Sequence, residues 1–187
     1  MRVIAGTLRS RRLKAVGKLR LRPTSDRLRE TLFNVLGASV EQSLFVDLFA
    51  GTGAVGIEAI SRGAREAIFV DSNAASAKLI RANIAALGID RGVQIFEADA
   101  LRALEKIAAW RVMADFIFLD PPYEQEQEYA RVLDFLDSSR LIAPYGIVIA
   151  EHGRKVELPE RLDRLERTRV LEQGDASLSF YRLAAAA

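Results

Sequence analysis

The stretch Asp47-Leu48-Phe49-Ala50-Gly51-Thr52-Gly53-Ala54-Val55-Gly56 decides the fold. It joins a short apolar run, Leu44–Phe49, to a helical segment, Ala54–Arg62, through two closely spaced glycines. Gly51 and Gly53 let the backbone approach a ligand with no Cβ in the way. A strand, glycine turn and helix in this order form the first unit of an open α/β sheet. In such sheets ligands bind at the carboxyl ends of the strands, near the switch point.

Downstream the pattern repeats. Ala67–Val70 precedes a helix over Asn73–Leu87, and Val93–Phe96 precedes one near Leu101–Trp110. Phe116–Leu119 precedes Pro121-Pro122 and a helix near Gln127–Leu136, and Ile147–Ala150 is a fifth strand. Short apolar runs alternating with helices predict βαβ units, hence a parallel sheet covered on both faces. The tail differs: Leu165–Leu171 and Leu178–Leu183 flank Gln173-Gly174-Asp175, which reads as a hairpin, and the terminal alanines as a frayed end.

Upstream, residues 2–22 read as short extended pieces with turns at Gly6 and Gly17. Pro23-Thr24-Ser25-Asp26 then opens a helix capped by Thr24 or Ser25, with Asp26 on the positive end of its dipole and Gly37 as its stop. From Met1 to Thr31 there are ten Lys or Arg against two acids, although the chain as a whole carries only +2. Apolar residues interleave with these charges, so part of the segment packs while its cations face outward. Such a surface suits a polyanion, by phosphate neutralisation. Arg2, Arg9, Arg11, Arg12, Lys14 and Arg22 are the candidate contacts.

The composition bounds the remainder. A chain of 187 residues, half of them apolar, suits one domain with a short appendage. With no cysteine and one histidine, a disulfide framework and a Cys/His zinc site are excluded, and no metal is expected. No apolar run approaches the roughly 18–20 residues that span a bilayer. The N-terminus lacks the apolar stretch of a signal peptide, so a soluble, cytoplasmic, monomeric protein is expected.

Carboxylates follow three successive strands: Asp47, Asp71 and Asp99. Gly51-x-Gly53-x-x-Gly56 with Asp71 twenty residues on also satisfies the dinucleotide fingerprint, so a NAD-binding protein is one reading. Asp47 opposes it, because a carboxylate before the glycines faces a pyrophosphate with the wrong sign but suits a sulfonium or ammonium group. Asp71 can accept from a ribose diol and Asp99 from an adenine amino group; their structural alternatives are caps on the following helices. Phe49 and Ala100 flank the same cleft.

The fourth strand ends in Asp120-Pro121-Pro122-Tyr123. Asp120 precedes a proline and is pushed out of the helical region, while the two prolines offer no N–H. The result is a small slot lined with acceptors and walled by the Tyr123 ring, suited to a planar base bearing an amino group. Hydrogen bonds from that amine to Asp120 and a neighbouring carbonyl favour a tetrahedral nitrogen, able to attack an electrophilic methyl group in line. His152 and Trp110 read as structural. Asp175 reads as a turn residue whose loop could border the cleft.

Together, Arg2–Gly6, Leu21–Asn34, Asp47–Ala59, Asp120–Tyr123 and Gly174–Tyr181 resemble the RsmD-type bacterial 16S rRNA guanine-N2 methyltransferases over nearly the whole chain. The resemblance implies an α/β, Rossmann-like seven-stranded S-adenosylmethionine-dependent methyltransferase fold. It implies a basic N-terminal extension over 1–23 and a methyltransferase domain over 24–187. It further implies S-adenosyl-L-methionine in the glycine loop, with Asp71 on the ribose and Asp99 near adenine. Asp120, Pro121 and Tyr123 would stand at the target guanine, and 16S rRNA or a small-subunit particle would be the partner. Ala5 departs from the family pattern, in which a second glycine is common there. From the residues alone, a DNA adenine or cytosine amino-methyltransferase and a non-catalytic RNA-binding module stay open.

Overall fold

The computed structural model describes residues 1–15 and 25–185, with Tyr123 described through its backbone alone. Gly17, the Thr24 cap and Arg22 therefore lie outside the described residues.

The chain runs α1 (Asp26–Leu36), β1 (Leu44–Leu48), α2 (Ala54–Ser61), β2 (Glu66–Asp71), α3 (Ala74–Leu87), β3 (Val93–Glu97) and α4 (Ala100–Ala109). It continues through β4 (Ala114–Leu119), α5 (Gln127–Ser138), β5 (Ile142–Gly153), β6 (Leu165–Gln173) and β7 (Ala176–Leu183). The strands form one seven-stranded sheet in the order β3-β2-β1-β4-β5-β7-β6. The first five pair in parallel, and β7 runs antiparallel to both β5 and β6. The order reverses between β1 and β4, which opens a crevice between the loops that follow them.

Side chains alternate across the sheet as the two-residue strand period requires. Val46, Leu48, Ile117 and Leu119 pack with Leu104, Ile107, Val132 and Leu136 of α4 and α5. Phe45, Phe116 and Phe118 pack on the other face with Leu28, Leu32 and Phe33 of α1. Every β1 residue is buried, so this interior strand reads as a continuous apolar run interrupted only by Asp47.

The expected caps hold at α1, where the Ser25 hydroxyl accepts from the Leu28 N–H and Gly37 ends the helix at φ 57°. Most boundaries fall within two residues of the sequence reading, and two differences have a visible cause. β1 stops at Leu48 because Phe49 turns left-handed, at φ 59°. β5 runs to twelve residues, since Ile142 already pairs with Ala114 across an irregularity ahead of the Ile147–Ala150 core.

Residues 1–15 of the basic N-terminal segment pack against the rest of the chain. Arg2 and Arg12 form an antiparallel bridge. Val3 and Leu13 are buried with Ile57, Phe69 and Ile80, while Arg2, Arg9, Arg11, Arg12 and Lys14 are exposed. Gly6 has φ 80°, and a Cβ there would lie 1.8 Å from the Ser61 carbonyl oxygen, so this position demands glycine. Ala5 fits its place: its N–H donates to Glu58 Oε1 and its carbonyl accepts from the Ser61 hydroxyl. Among the described residues, no helix is long and apolar enough to cross a membrane.

Candidate active site

The first candidate loop leaves β1 after Leu48, and Asp47 is the last but one residue of that strand. The Asp47 carboxylate is 1% exposed and accepts from the Gly56 N–H at 2.9 Å, so it anchors the first turn of α2. Burial pushes its pKa up to about 8, and the charges of Asp71 and Glu151 push in the same direction against the Gly56 hydrogen bond. A carboxyl group held neutral by burial beside two other acids gains most when a positive ligand group arrives, because the cation restores the charged form. The chemistry of this donor set thus fits a cationic ligand, as the residue pattern suggested.

Around it the loop is tight. Gly51 and Gly53 have φ 54° and 76°, and Phe49 bears the strain of φ 59° with a full side chain. The third glycine of the fingerprint serves packing: a Cβ at Gly56 would stand 2.4 Å from Phe69 Cε1. That contact lets α2 lie close against β2.

Asp71 ends β2 and is half-buried. One carboxylate oxygen accepts from the Gly51 N–H and the other from the Asn73 N–H, each at 2.8 Å. It therefore ties the glycine loop to the second strand. The structural role expected for it belongs instead to Asn73, whose side chain caps α3 by accepting from the Ala75 N–H. Asp99 does cap α4, accepting from the Leu101 and Arg102 N–H groups through Oδ1 alone. Ala100 is the first residue of α4, and its methyl group is buried in the core.

The second loop leaves β4, the strand beside β1. Leu119 pairs with Leu48 on one side and Ala150 on the other, so Asp120, Phe49 and Glu151 follow from three adjacent strands at one level. Asp120 is half-buried and Pro121 buried, while Pro122 leads into a short 3-10 turn that begins at Tyr123. The structure brings the two loops together at the switch point, as the sequence pattern required.

Sequence reading missed four residues. Glu151, on the end of β5, is 8% exposed and close enough to lift the Asp47 pKa. Glu58 is fully buried in α2 and accepts from the Ile4 and Ala5 N–H groups and from Arg62, pinning the basic segment. Asn83 lies buried in α3. A lone acid in the apolar helix Ala54–Ser61, and an amide among Ile80, Ile84 and Leu87, were the available signals. The fourth is Arg27, which lines a cavity of about 400 Å³ with Arg2, Arg9, Asp26 and Glu30.

His152 is structural. It is buried, its ring nitrogens meet the Gly153 carbonyl and the Ser179 hydroxyl at 2.9 Å, and burial lowers its pKa. Trp110 closes α4 and packs on Phe96 at 5.6 Å. Asp175 sits in the exposed turn beyond Gly153, where its carbonyl accepts from the Arg154 N–H. Among the described residues, no group of three His, Cys, Asp or Glu is arranged to hold a metal ion.

Residues 1–182 match the family model described as Conserved hypothetical protein 95. The chain is 38% identical over 182 residues to "Putative rRNA methyltransferase YlbH" of Bacillus subtilis, covering 97% of this chain and 98% of that protein. It is 30% identical over 159 residues to ribosomal RNA small subunit methyltransferase D of Escherichia coli K12, covering 85% and 78%.

The chain belongs to this RsmD-type family.

Solved structures agree with that membership. A hypothetical protein of a Thermus species, TTHA0928, superposes with TM-score 0.84 at 26% identity over 98% of this chain and 99% of that one. The same fold, at 16% identity and TM-score 0.64 over 88% of this chain and 95% of the other, occurs in an RNA methyltransferase from Salinibacter ruber in complex with S-adenosyl-L-homocysteine. The seven-stranded sheet of this RsmD-type chain is thus the Rossmann-like methyltransferase architecture.

Proposed function

We propose that the protein methylates the exocyclic N2 amino group of a guanine in 16S rRNA, using S-adenosyl-L-methionine. The observation that carries this reading is the convergence of the Asp120-Pro121-Pro122-Tyr123 loop with the Gly51–Gly53 loop at the β1–β4 switch point. An acceptor for an amine and a cleft for a methyl donor stand on neighbouring strands.

When bound, S-adenosylmethionine supplies an electrophilic methyl group on a positively charged sulfur. Asp71 offers acceptor oxygens to a ribose diol, and Asp99, with one oxygen outside the cap bonds, offers an acceptor to an adenine amino group. Glu151 lends the cleft a negative potential suited to a cation, and Asp47, neutral while the cleft is empty, regains its charge when that cation arrives. Asp120 orients the target amine by accepting its N–H bonds, Pro121 shapes the loop that holds it, and Tyr123 supplies a ring face for a base turned out of its helix. The exposed cations Arg2, Arg9, Arg11, Arg12 and Lys14, joined by Arg22, neutralise RNA phosphates. Residues 1–23 act as the RNA-contacting extension of the 24–187 methyltransferase domain. The relatives' names support an rRNA substrate, and the guanine N2 target follows from the family resemblance. A cytoplasmic monomer acting on 16S rRNA or a small-subunit particle completes the reading.

The test is transfer of labelled methyl groups to 16S rRNA, as free transcript and as small-subunit particle, followed by nucleoside analysis. N2-methylguanosine is the expected product. Labelled N6-methyladenosine or N4-methylcytidine would overturn the guanine assignment, and label in DNA alone would overturn the RNA assignment.

A further inference from the structure

Three contacts stitch the basic segment to α2, which grows out of the glycine loop, and to α3, which follows β2. Glu58 of α2 holds the Ile4 and Ala5 N–H groups. Ser61, the last residue of α2, accepts from the Thr7 and Leu8 N–H groups. Asn83 of α3 holds Lys14 at both backbone groups: Oδ1 accepts from its N–H at 2.8 Å, and Nδ2 donates to its carbonyl at 3.2 Å.

Asn83 differs from the other two in also reaching the loop itself. Its Nδ2 donates to the Thr52 carbonyl at 3.0 Å, between the two loop glycines. Asn83 is 1% exposed, so its bond to Thr52 is sheltered from water, while its two bonds to the exposed Lys14 are partly buried. Met1 touches the same residue, its sulfur lying 3.8 Å from the Thr52 hydroxyl. One end of the segment, at Met1, and its Lys14 stretch thus both meet Thr52 or the amide bound to it. The neighbouring Gly51 N–H is held by Asp71, the residue assigned to the ribose.

We propose that Asn83 is a positioning residue that couples the cofactor loop to the RNA-facing segment, so that filling the loop tightens RNA binding and RNA tightens cofactor binding. The proposal rests on the RNA role assigned above to the basic segment. A ligand seated on Gly51–Gly53 immobilises the Thr52 carbonyl, which fixes the Asn83 amide, which fixes the Lys14 backbone and with it the neighbouring Arg11 and Arg12. The ordering cost is then met once for both ligands, and linkage makes the effect reciprocal.

The experiment measures binding of a labelled 16S rRNA transcript with and without saturating S-adenosylhomocysteine. Wild-type protein should bind about fivefold or more tightly with the ligand, the lower end of ordinary coupling. In Asn83→Asp the bond to the Lys14 N–H survives, while the carboxylate repels the Lys14 and Thr52 carbonyls. The ratio should fall to one, whatever the absolute affinities become; a merely structural role would weaken binding with the ratio intact. Amide hydrogen exchange of the wild-type protein supplies a second arm that needs neither variant nor RNA. S-adenosylhomocysteine should slow exchange at Lys14 as well as at Gly51 and Gly53. Slowing confined to the loop, or RNA binding indifferent to the ligand, would overturn the coupling while leaving the RNA reading intact. Failure of the wild type to bind the transcript at low salt, with Lys14 protection still present, would sink the RNA reading and leave the mechanical link.

Discussion

Replacing Asp47 by Asn tests how the cleft holds its charge. The carboxyl group keeps its proton in the folded protein up to about pH 8, because burial disfavours the anion and Asp71 and Glu151 repel it. In the unfolded chain it ionises near 3.8. A group whose pKa rises on folding contributes its full stability below the unfolded pKa and loses it as pH climbs through the folded one. The native state therefore loses about 1.4 kcal/mol per pH unit between roughly 4 and 8, or about 4 kcal/mol by pH 7, from this residue alone. Asn is neutral at every pH and keeps an oxygen for the Gly56 N–H, so it escapes that loss. Urea unfolding of the ligand-free proteins, followed by circular dichroism and by the single tryptophan, Trp110, reads the difference. Asn should match wild type near pH 4 and exceed it increasingly toward pH 7, while S-adenosylmethionine affinity falls because the carboxylate is gone. A stability difference that is flat with pH, or an Asn variant weaker at every pH, would refute the account of Asp47 as a buried neutral acid.

Four further outcomes are expected. Asp71→Ala should cost S-adenosylhomocysteine about 1–3 kcal/mol of binding in calorimetry, since it removes the ribose acceptors and releases the Gly51 N–H. Asp120→Ala should lower the single-turnover methylation rate by about a hundredfold or more with cofactor affinity unchanged; substantial activity in Asp120→Asn would show that hydrogen-bond acceptance matters more than charge. Neutralising Arg9, Arg11 and Arg12 together should flatten the logarithmic salt dependence of RNA affinity by about 2 if each meets a phosphate of a single strand, and an unchanged slope would make them a solvated surface. Gly56→Ala should lower stability by about 1–3 kcal/mol in urea titrations, because the added Cβ meets the buried Phe69 ring at 2.4 Å; an unchanged midpoint would show that α2 shifts freely.

Much of this was legible in the chain itself. The alternation of apolar runs and helical segments is local information, because strand and helix periods are written in neighbouring residues, and it announced the five parallel strands and the terminal hairpin. The glycine turn and Asp120-Pro121-Pro122 were legible for the same reason: φ preferences and missing N–H donors belong to the residues themselves. What lay beyond the sequence depended on partners distant along the chain. Asp47 looked like a ligand-facing acid, but only the packing of α2 over β1 shows it bonded to Gly56, while burial, helped by the acids on the neighbouring strand ends, holds it neutral. Glu58 and Asn83 looked like ordinary helix residues until the fold laid the backbone of residues 4–14 across them. The apolar residues interleaved with the charges of the basic segment announced that part of it packs. Which surface receives them was not legible: only the fold brings Val3 and Leu13 against Phe69 and Ile80, since a buried apolar side chain counts only where the chain has folded a surface to receive it.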